Sequence, residues 1–200
     1  MADTLIKLAE QRRTFYALNK DLPISKERVV EIVKAFTLST PSSFNSQTTR
    51  VLVLFGDEHD KLWDAAGEIL KSIVSADQWE STSARINGFK AGAGTVLFFV
   101  EQEGVNAMQT AFAAYADKFP GWADQSAGMQ QLLTWTAFVA EGLGANLQHY
   151  SPLIDQKVAD EWKIPAGWKL NAQLVFGGRA GEAGPKEFKP VDERVKVAGL

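Results

Sequence analysis

The stretch Gln11-Arg12-Arg13-Thr14-Phe15-Tyr16 stands at the end of a predicted N-terminal helix, and the rest of this 200-residue chain is organised around it. Apolar residues upstream of the stretch recur at helical spacing: Leu5, Leu8 and Ala9. This periodicity predicts an amphipathic helix that begins near Asp3, continues through Arg12 and buries its other face.

Two adjacent arginines followed by a hydroxyl can form an anion site. A guanidinium is a planar fork that binds phosphate or carboxylate through paired, charge-assisted hydrogen bonds, and Thr14 can add a neutral donor. The alternative is that Arg12 and Arg13 are two solvated surface charges. Motifs that occur later in the chain favour the anion site.

The composition is that of an ordinary globular protein: 46% of the residues are hydrophobic, 22% are charged, and the formal net charge is -3. A nearly neutral chain lacks the basic surface typical of nucleic-acid-binding proteins, so no nucleic-acid partner is expected. No apolar run reaches the about 18 residues of a membrane span, and the first residues lack the apolar core of a signal peptide. We therefore expect no membrane association.

The chain has no cysteine and only two histidines, His59 and His149. Disulfides, thiolate metal ligands and a catalytic thiol are therefore excluded, as is a three-histidine metal site, and we predict no metal. The absence of cysteine fits a cytoplasmic protein.

Helical and strand-like patterns alternate along the chain, which predicts a single α+β domain over residues 1–200. Helices are predicted after the N-cap Ser25, from Glu58 to about Val74, from Trp79 towards Asn87, around Met129–Ala140, and from Pro152 through Trp162. Strands are predicted at Arg50–Phe55, Thr95–Val100 and Ala172–Phe176, the last closed by Gly177-Gly178, with a short extended segment at Asn146–Tyr150. The chain is expected to turn at Asn87-Gly88-Phe89-Lys90. Residues 179–200 show no period and are expected to form either a disordered tail or an extended C-terminal arm that docks.

Two further patterns bear on the class of protein. No Gly-x-Gly-x-x-Gly sequence opens a helix after a strand, so a Rossmann nicotinamide-binding fold is not expected. The predicted helix around Met129–Ala140 is about 20 residues long and apolar around much of its circumference. We expect it to end at Gly142 or Gly144 and to lie centrally or against a partner subunit.

Four motifs together resemble the flavin-dependent nitroreductase family and, within it, the short fungal and bacterial branch that includes fungal nitroreductase-like proteins linked to fatty-acid regulation. They are Arg12-Arg13-Thr14, the polar loop from Thr40 to Gln47 (TPSSFNSQ), Asn87-Gly88-Phe89-Lys90 before a strand, and residues 141–150 (EGLGANLQHY). Each motif alone is weak. Their order and spacing are specific, and the resemblance covers essentially the whole chain.

The resemblance implies an α+β, nitroreductase-like fold with a mixed central sheet flanked by helices. It also implies an intertwined homodimer with one FMN in each of two interface sites. The FMN-contacting residues carried over by position are Arg12, Arg13, Thr14, Tyr16, Asn87 and Lys90 from one subunit and Pro41, Ser42, Ser43 and Asn45 from its partner. The first four would bind the phosphate and ribityl chain. Asn87 and Lys90 would face the pyrimidine edge, where a cation stabilises the reduced flavin.

The chain departs from the family pattern beside the reactive N5 of the flavin. Ser151 and Pro152 stand where many members have glutamate and glycine. His149, Tyr150 and Ser151 would then occupy that position, through backbone amides. His149 is equally well a structural histidine.

A second departure lies in the C-terminal arm. Lys186 matches a phosphate-contacting lysine of the family, but Phe188 replaces the arginine commonly found two residues later. From charge alone, Arg194 or Lys189 is expected to fill the gap.

The activity implied by the resemblance is reduction of nitroaromatics or quinones by NADH or NADPH, with hydride passing through flavin N5 in a ping-pong sequence. Small flat acceptors would stack on an aromatic slot, although an aromatic stripe of this kind can also be simple core. The slot residues are Phe112, Tyr115, Phe119 and Trp122. One alternative is a flavin-binding regulatory or stress-response protein with little turnover, and another is a protein that has kept the fold but lost the cofactor.

Overall fold

In the computed structural model, which describes residues 2–199, helices and strands alternate along the chain. The helices of this part of the chain are α1 (Ala2–Gln11), α2 (Lys26–Ser39), α3 (Asp57–Lys71), α4 (Ala76–Lys90), α5 (Gln102–Ala111), α6 (Phe119–Ala140) and α7 (Asp155–Trp162). The strands are β1 (Leu18–Asn19), β2 (Thr49–Phe55), β3 (Gly94–Glu101), β4 (Gly144–Gln148) and β5 (Trp168–Arg179), and 3-10 helices occur at Ser43–Asn45, Ala113–Lys118 and Val191–Glu193. The α+β class expected from the sequence is confirmed.

Strand β5 is the centre of the sheet. It pairs with β3, β4 and β1, and β2 pairs with β3 on the outer side. All four pairings among residues 2–199 are antiparallel, whereas the resemblance implied a mixed sheet. Within the single chain, each strand therefore runs opposite to the strands with which it pairs, and the sheet contains no parallel pair among residues 2–199.

Both faces of β3 are packed. Leu97 and Phe99 belong to a core formed with α3, α4 and α7, while Val96 and Phe98 belong to a second core formed with α2 and α6. This two-residue alternation is the pattern of a strand with helices on both sides. Strand β2 was also predicted to be buried, but only Leu54 is fully buried, because β2 pairs on one side only.

Helix α1 differs from the prediction in two ways. It ends at Gln11, so Arg12 follows the helix, although its N–H still donates to the Leu8 carbonyl at 3.1 Å. No residue of α1 is buried, and Leu5 and Ile6 are 62% and 53% exposed. The expectation of a buried face is therefore wrong for the single chain. None of the helices in residues 2–199 has the length and apolarity needed to cross a membrane.

The predicted turn at residues 87–90 is wrong, because α4 continues as a helix to Lys90. The helix also begins earlier than the sequence pattern indicated, after Ser75, whose N–H donates to Gln78 Oε1 at 3.3 Å. Gly88 is an internal helical residue with no atom within 4 Å of the position a Cβ would take. A helix tolerates such a glycine at a cost of about 1 kcal/mol relative to alanine, so the glycine alone was an insufficient signal of a turn.

Strand β5 does not end at Gly177-Gly178 as predicted but passes through both glycines to Arg179. A Cβ at Gly177 would lie 2.3 Å from the Asn19 carbonyl oxygen, and one at Gly178 would lie 2.2 Å from that of Asp21. The glycines therefore permit β1, which the sequence did not indicate, to approach the backbone of β5 closely.

The prediction for the end of α6 is confirmed, whereas the prediction for the start of α7 is wrong. Helix α6 ends at Ala140, and Gly142 takes the left-handed conformation (φ 89°) expected of a glycine after a helix. Helix α7 begins at Asp155 rather than at Pro152, because residues 151–154 form turns before the helix.

Arg179 ties the end of β5 to the end of α6. Its guanidinium donates to the carbonyls of Val139, in the last turn of α6, at 2.9 Å and of Leu143, just after the helix, at 3.1 Å. The same group lies 4.4 Å from the ring centroid of Phe15. Strand β5, helix α6 and the segment after α1 therefore meet at one side chain.

His59 is a fully buried histidine in α3. The Thr95 hydroxyl accepts from Trp63 Nε1 at 3.0 Å and forms a second hydrogen bond with His59 Nδ1 at 2.8 Å. Burial disfavours the charged imidazolium and lowers the pKa of His59 from 6.5 to about 4.

Protonation of His59 is expected to destabilise the fold between pH 6.5 and pH 4. The unfolded chain takes up this proton near pH 6.5 and the folded chain only near pH 4. Stability from neutral His59 is thus fully present above pH 6.5 and falls by about 3 kcal/mol as the pH drops through this window. Urea denaturation at closely spaced pH values measures the loss.

The variants His59→Gln and His149→Gln distinguish the effect of His59 on stability from the effect of carboxylates, which titrate in a similar pH range. His59→Gln should flatten the dependence of unfolding free energy on pH by the stated amount, whereas His149→Gln, which changes an exposed residue, should leave it as in the wild type. Equal slopes in the wild type and in His59→Gln would contradict the assignment.

Candidate functional site

Two adjoining clefts lie beside the segment that follows α1. The first, here called the anion cleft, has a volume of about 340 Å³ and is lined by Arg12, Arg13, Thr14, Tyr16, Gly184, Pro185 and Lys186. The second, the wide cleft, has a volume of about 570 Å³ and is lined by Tyr16, Ala84, Arg85, Gly88, Phe89 and Gln148. Tyr16 lines both, so the two clefts adjoin at this side chain.

The anion cleft carries uncompensated positive charge. Burial, and then the neighbouring charge of Arg13, lower the pKa of Arg12, whose guanidinium stacks 4.3 Å from the Trp135 ring. Arg13 donates to the Gly184 carbonyl, which holds the C-terminal arm against the cleft. The salt bridges within residues 2–199 include none of Arg12, Arg13 and Lys186. An anion in this cleft would be stabilised by three cations at once.

Phe15 holds the residues of the anion cleft in place. Its N–H donates to the Ala145 carbonyl at 3.0 Å, and its carbonyl accepts from Asn146 Nδ2 at 2.9 Å. The Phe15 side chain is buried, while its neighbours Thr14 and Tyr16 line the cleft. In an extended segment alternate side chains point to opposite sides, so burial of Phe15 turns these two towards the cleft.

One face of α4 forms a wall of the wide cleft. Ala84 and Gly88, and likewise Arg85 and Phe89, are four residues apart and therefore share a helix face. Gly88 leaves this wall bare, since no atom lies near the place of its absent Cβ. The ion pairs described for residues 2–199 do not include Arg85.

Asn87 and Lys90 lie on the other side of α4 from the wide cleft. Lys90 Nζ binds both carboxylate oxygens of Asp64, at 2.6 and 2.7 Å, and this hydrogen-bonded pairing raises the pKa of Lys90. Asn87 borders a separate cleft of about 210 Å³ between α3 and α4, beside Trp63. Neither residue lines the clefts at Tyr16. Arg85 was not identified from the sequence as a candidate site residue. The turn predicted at residues 87–90 interrupted the helical spacing that places Arg85 in the wide cleft.

The residues predicted near the flavin N5 occupy different environments. His149 is exposed. The Tyr150 ring packs edge-on against Trp63 at 5.5 Å and Phe89 at 6.1 Å, and burial raises the pKa of Tyr150. The Ser151 hydroxyl donates to Asp155 Oδ2 at 2.8 Å. None of the three lines either cleft, whereas Gln148, which was not predicted, does.

Of the residues predicted in the C-terminal arm, the structure brings only Lys186 to the anion cleft. Its ammonium lies 4.9 Å from the Phe188 ring. Arg194 follows the last 3-10 helix and is exposed, and neither Arg194 nor Lys189 lines the cleft. The arm also contributes Gly184, which the sequence did not indicate.

The polar loop after α2 surrounds a different, smaller cleft of about 150 Å³, which Pro41 and Ser42 line together with residues that include Arg50 and Gln130. The Ser42 hydroxyl accepts from the Gln47 N–H at 2.9 Å. Ser43 and Asn45 form the 3-10 helix of this loop.

Three residues of this loop have left-handed backbones: Phe44 (φ 55°), Asn45 (φ 54°) and Gln47 (φ 48°). A left-handed backbone in a residue other than glycine costs about 1–3 kcal/mol, and such residues occur preferentially at functional sites.

Phe44 is the centre of an aromatic cluster that contains all four predicted slot residues. Its ring centroid lies 4.5, 5.5, 6.1 and 6.2 Å from those of Phe112, Phe119, Trp122 and Tyr115. Phe119 is buried, whereas Phe44 and Tyr115 are 52% and 49% exposed. The cluster therefore has a core side and an open side, and Phe44 is the member that sequence spacing could not associate with it.

The aromatic cluster and the two clefts lie at opposite ends of α6. Trp122 is in the cluster, and Trp135, thirteen residues later, stacks on Arg12. At 1.5 Å per residue this separation is about 20 Å. Within one chain, the slot residues therefore lie far from the anion cleft.

The sequence profile of the Nitroreductase family matches residues 9–178. Two Saccharomyces cerevisiae proteins are similar to this chain. HBN1 is 40% identical over 188 residues, which are 92% of this chain and 93% of that protein. The nitroreductase FRM2 is 34% identical over 168 residues, which are 83% of each chain.

Solved structures match the fold. The nitroreductase CinD from Lactococcus lactis in complex with nicotinic acid superposes with a TM-score of 0.91 at 47% identity, over 98% of this chain and 100% of that chain. Its complexes with chloramphenicol and 4-nitrophenol match with TM-scores of 0.89 and 0.88. A nitroreductase with bound FMN from Desulfitobacterium hafniense DCB-2 has a TM-score of 0.70 at 14% identity, over 96% of this chain and 97% of that chain. The α+β, nitroreductase-like fold implied by the resemblance is confirmed.

In protein freed of any bound cofactor, inorganic phosphate is expected to bind in the anion cleft and to raise the melting temperature. For a dissociation constant near 1 mM, about 10 mM phosphate at constant ionic strength should raise it by roughly 3–5 °C. Differential scanning calorimetry measures the shift. Arg13→Gln should abolish it, whereas Arg28→Gln, which changes an arginine already paired with Glu31 and Glu141, should not. An undiminished shift in Arg13→Gln would exclude this site.

Proposed function

The chain belongs to the nitroreductase family, and on this premise we propose that it is an FMN-dependent oxidoreductase. NADH or NADPH would supply the electrons, and nitroaromatics or quinones would accept them, each binding in turn in a ping-pong sequence. The observation that carries this proposal is a cationic cleft that adjoins a wider cleft at Tyr16.

The anion cleft fits the phosphate of FMN. Arg12, Arg13 and Lys186 offer three positive charges without an acidic partner among residues 2–199, and Thr14 adds a hydroxyl. Guanidinium groups bind phosphate oxygens through paired hydrogen bonds. A bound anion would also stabilise the charge of Arg12, which burial and Arg13 disfavour.

The wide cleft fits a flat ring system. The bare helix surface at Gly88 gives room for a ring, and Tyr16 and Phe89 supply aromatic surface. When bound, FMN supplies the hydride chemistry, so no side chain has to act as nucleophile or general acid. The role of the protein is to bind and orient the ring. We propose that Arg85, rather than Lys90, brings a positive charge to it.

We propose that the working form is a homodimer. Leu5 and Ile6 of α1, and Met129 and Leu132 of α6, are 41–62% exposed in the single chain, and exposed apolar residues of this size indicate an interface. The separation of about 20 Å along α6 supports the same conclusion. The aromatic cluster lies too far from the anion cleft of its own chain to contact the same FMN, and we propose that it covers the cleft of a partner together with residues Pro41 to Asn45.

In such a dimer, the aromatic cluster of one subunit would face the wide cleft of the other. Its open side, at Phe44 and Tyr115, offers flat apolar surface on which aromatic acceptors and the nicotinamide ring can stack. The CinD complexes with nicotinic acid and 4-nitrophenol support flat aromatic ligands for this family branch.

The first test is the visible absorption spectrum of the purified protein, with identification of the chromophore released on denaturation. FMN at close to one per chain, bleached anaerobically by NADH or NADPH and restored by a nitroaromatic or a quinone, is the expected result. A protein that is colourless and takes up no added FMN would refute the proposal. Bound FMN that neither nicotinamide reduces would favour the regulatory alternative. Sedimentation of the same sample measures the dimer.

Paired variants distinguish Arg85 from Lys90. A cation beside the ring stabilises the reduced, more negative flavin, so Arg85→Gln should lower the FMN midpoint potential by roughly 30–60 mV. Lys90→Gln should leave the potential within about 10 mV of the wild type, because Lys90 is neutralised by Asp64. Spectroelectrochemical titration measures both. The reverse result would assign the cation to Lys90.

A further inference from the structure

A short series of side-chain amides runs along β4 towards the wide cleft. Asn146 is completely buried, and its Nδ2 donates to the Phe15 carbonyl at 2.9 Å. Its Oδ1 accepts from Gln148 Nε2 at 2.8 Å. Gln148 in turn lines the wide cleft. Two side chains on one face of β4 therefore connect the segment of the anion cleft with the wall of the wide cleft.

The orientation of both amides follows from the Phe15 carbonyl. A backbone carbonyl can only accept, so Asn146 must present its nitrogen to Phe15 and its oxygen to Gln148. Gln148 must then present its nitrogen to Asn146. Its Oε1 is left over, and the hydrogen bonds described for residues 2–199 do not use this atom. Reversing either amide would bring two acceptors or two donors together, so the network assigns the orientation.

We propose, on the premise of the FMN site proposed above, that Gln148 Oε1 accepts a hydrogen bond from a ring N–H of the cofactor. Asn146 is the positioning residue that keeps this acceptor directed at the cleft. The isoalloxazine ring carries an N–H on its pyrimidine portion, and an acceptor of fixed orientation selects that edge over the carbonyl edges beside it. Asn146 also binds the Phe15 carbonyl, so it fixes the position of the Gln148 acceptor relative to the anion cleft.

The register is supported from the opposite side of β4. Gln148 faces Gln173 of β5 across the sheet, and Gln173 Oε1 accepts from the Tyr150 N–H at 2.8 Å. This bond fixes the chain immediately after Gln148. The backbone of β4 is thus held on both sides of the proposed acceptor, by Phe15 before it and by Gln173 after it.

The test measures the FMN dissociation constant, by quenching of flavin fluorescence, and the position of the visible flavin bands. Gln148→Met keeps the side-chain length but removes the acceptor, and should raise the dissociation constant about 3- to 10-fold and shift the bands. The matched control is Gln131→Met. It breaks an amide–amide bond of the same kind, 2.7 Å to Asn171 Oδ1, at a residue that lines neither cleft, and should change neither quantity.

Two variants of Asn146 test its positioning role. Asn146→Asp, kept neutral by its complete burial, can donate to the Phe15 carbonyl and still accept from Gln148 Nε2, so it should keep the wild-type band positions. Asn146→Leu removes the acceptor and frees the Gln148 amide, so its bands should match those of Gln148→Met, and combining the two changes should produce no further shift. A merely structural role for Asn146 would make the shifts additive.

The outcomes separate this inference from the proposed function. A wild type that binds FMN, together with a Gln148→Met protein of unchanged affinity and unchanged bands, would overturn the inference and leave the proposed function standing. A wild type that binds no FMN would overturn both. Gln148 lines a cleft rather than the core, so its variant tests the proposal even where the Asn146 variants fold poorly.

Discussion

The attachment of Phe15 to β4 is the constraint on which the site depends. Its N–H binds the Ala145 carbonyl, its own carbonyl binds Asn146, and its buried ring lies beneath the Arg179 guanidinium. Burial makes the charge of Arg12 less favourable, and the adjacent Arg13 repels it, so holding both guanidiniums at one cleft costs free energy. The hydrogen bonds and the apolar burial of Phe15 offset this repulsion. The anion cleft is therefore a consequence of one residue that touches no anion.

Periodic elements of this fold could be predicted from the sequence, and elements defined by tertiary contact could not. The β3 strand, α3 and the end of α6 at Gly142 follow local patterns of burial and glycine conformation. Strand β1 has two residues, too few for a period, and exists because Gly177 and Gly178 permit close approach. The apolar face of α1 has the pattern of a buried face, but residues 2–199 of the single chain bury none of its residues fully. Sequence periodicity indicates that one face of a helix is apolar, but it does not indicate whether the same chain or a partner covers that face.

The predicted site residues show the same distinction between local sequence pattern and tertiary contact. Arg12, Arg13, Thr14, Tyr16 and Lys186 are brought to one cleft, and the first four are adjacent in sequence. Arg85 and Gln148 could not be found from motif positions, because their place depends on the rotation of α4 and on the orientation of an amide. Lys90 shows the converse: the resemblance implied that it contacts the cofactor, but in the structure it pairs with Asp64 of α3 and lines neither cleft. The type of a residue indicates which chemistry its side chain can perform, whereas the rotation of its helix determines which cleft the side chain lines.

The length of α6 between Trp122 and Trp135 has a genetic consequence. In the proposed dimer each site would take its anion cleft from one chain and its aromatic cover from the other. Two different inactive alleles, one damaged at Arg13 and one damaged at Phe44, would then assemble into mixed dimers in which both lesions fall in the same site. The second site of that dimer would contain no lesion at all. Intragenic complementation would therefore restore half of the sites in each mixed dimer, although neither parent chain is active alone.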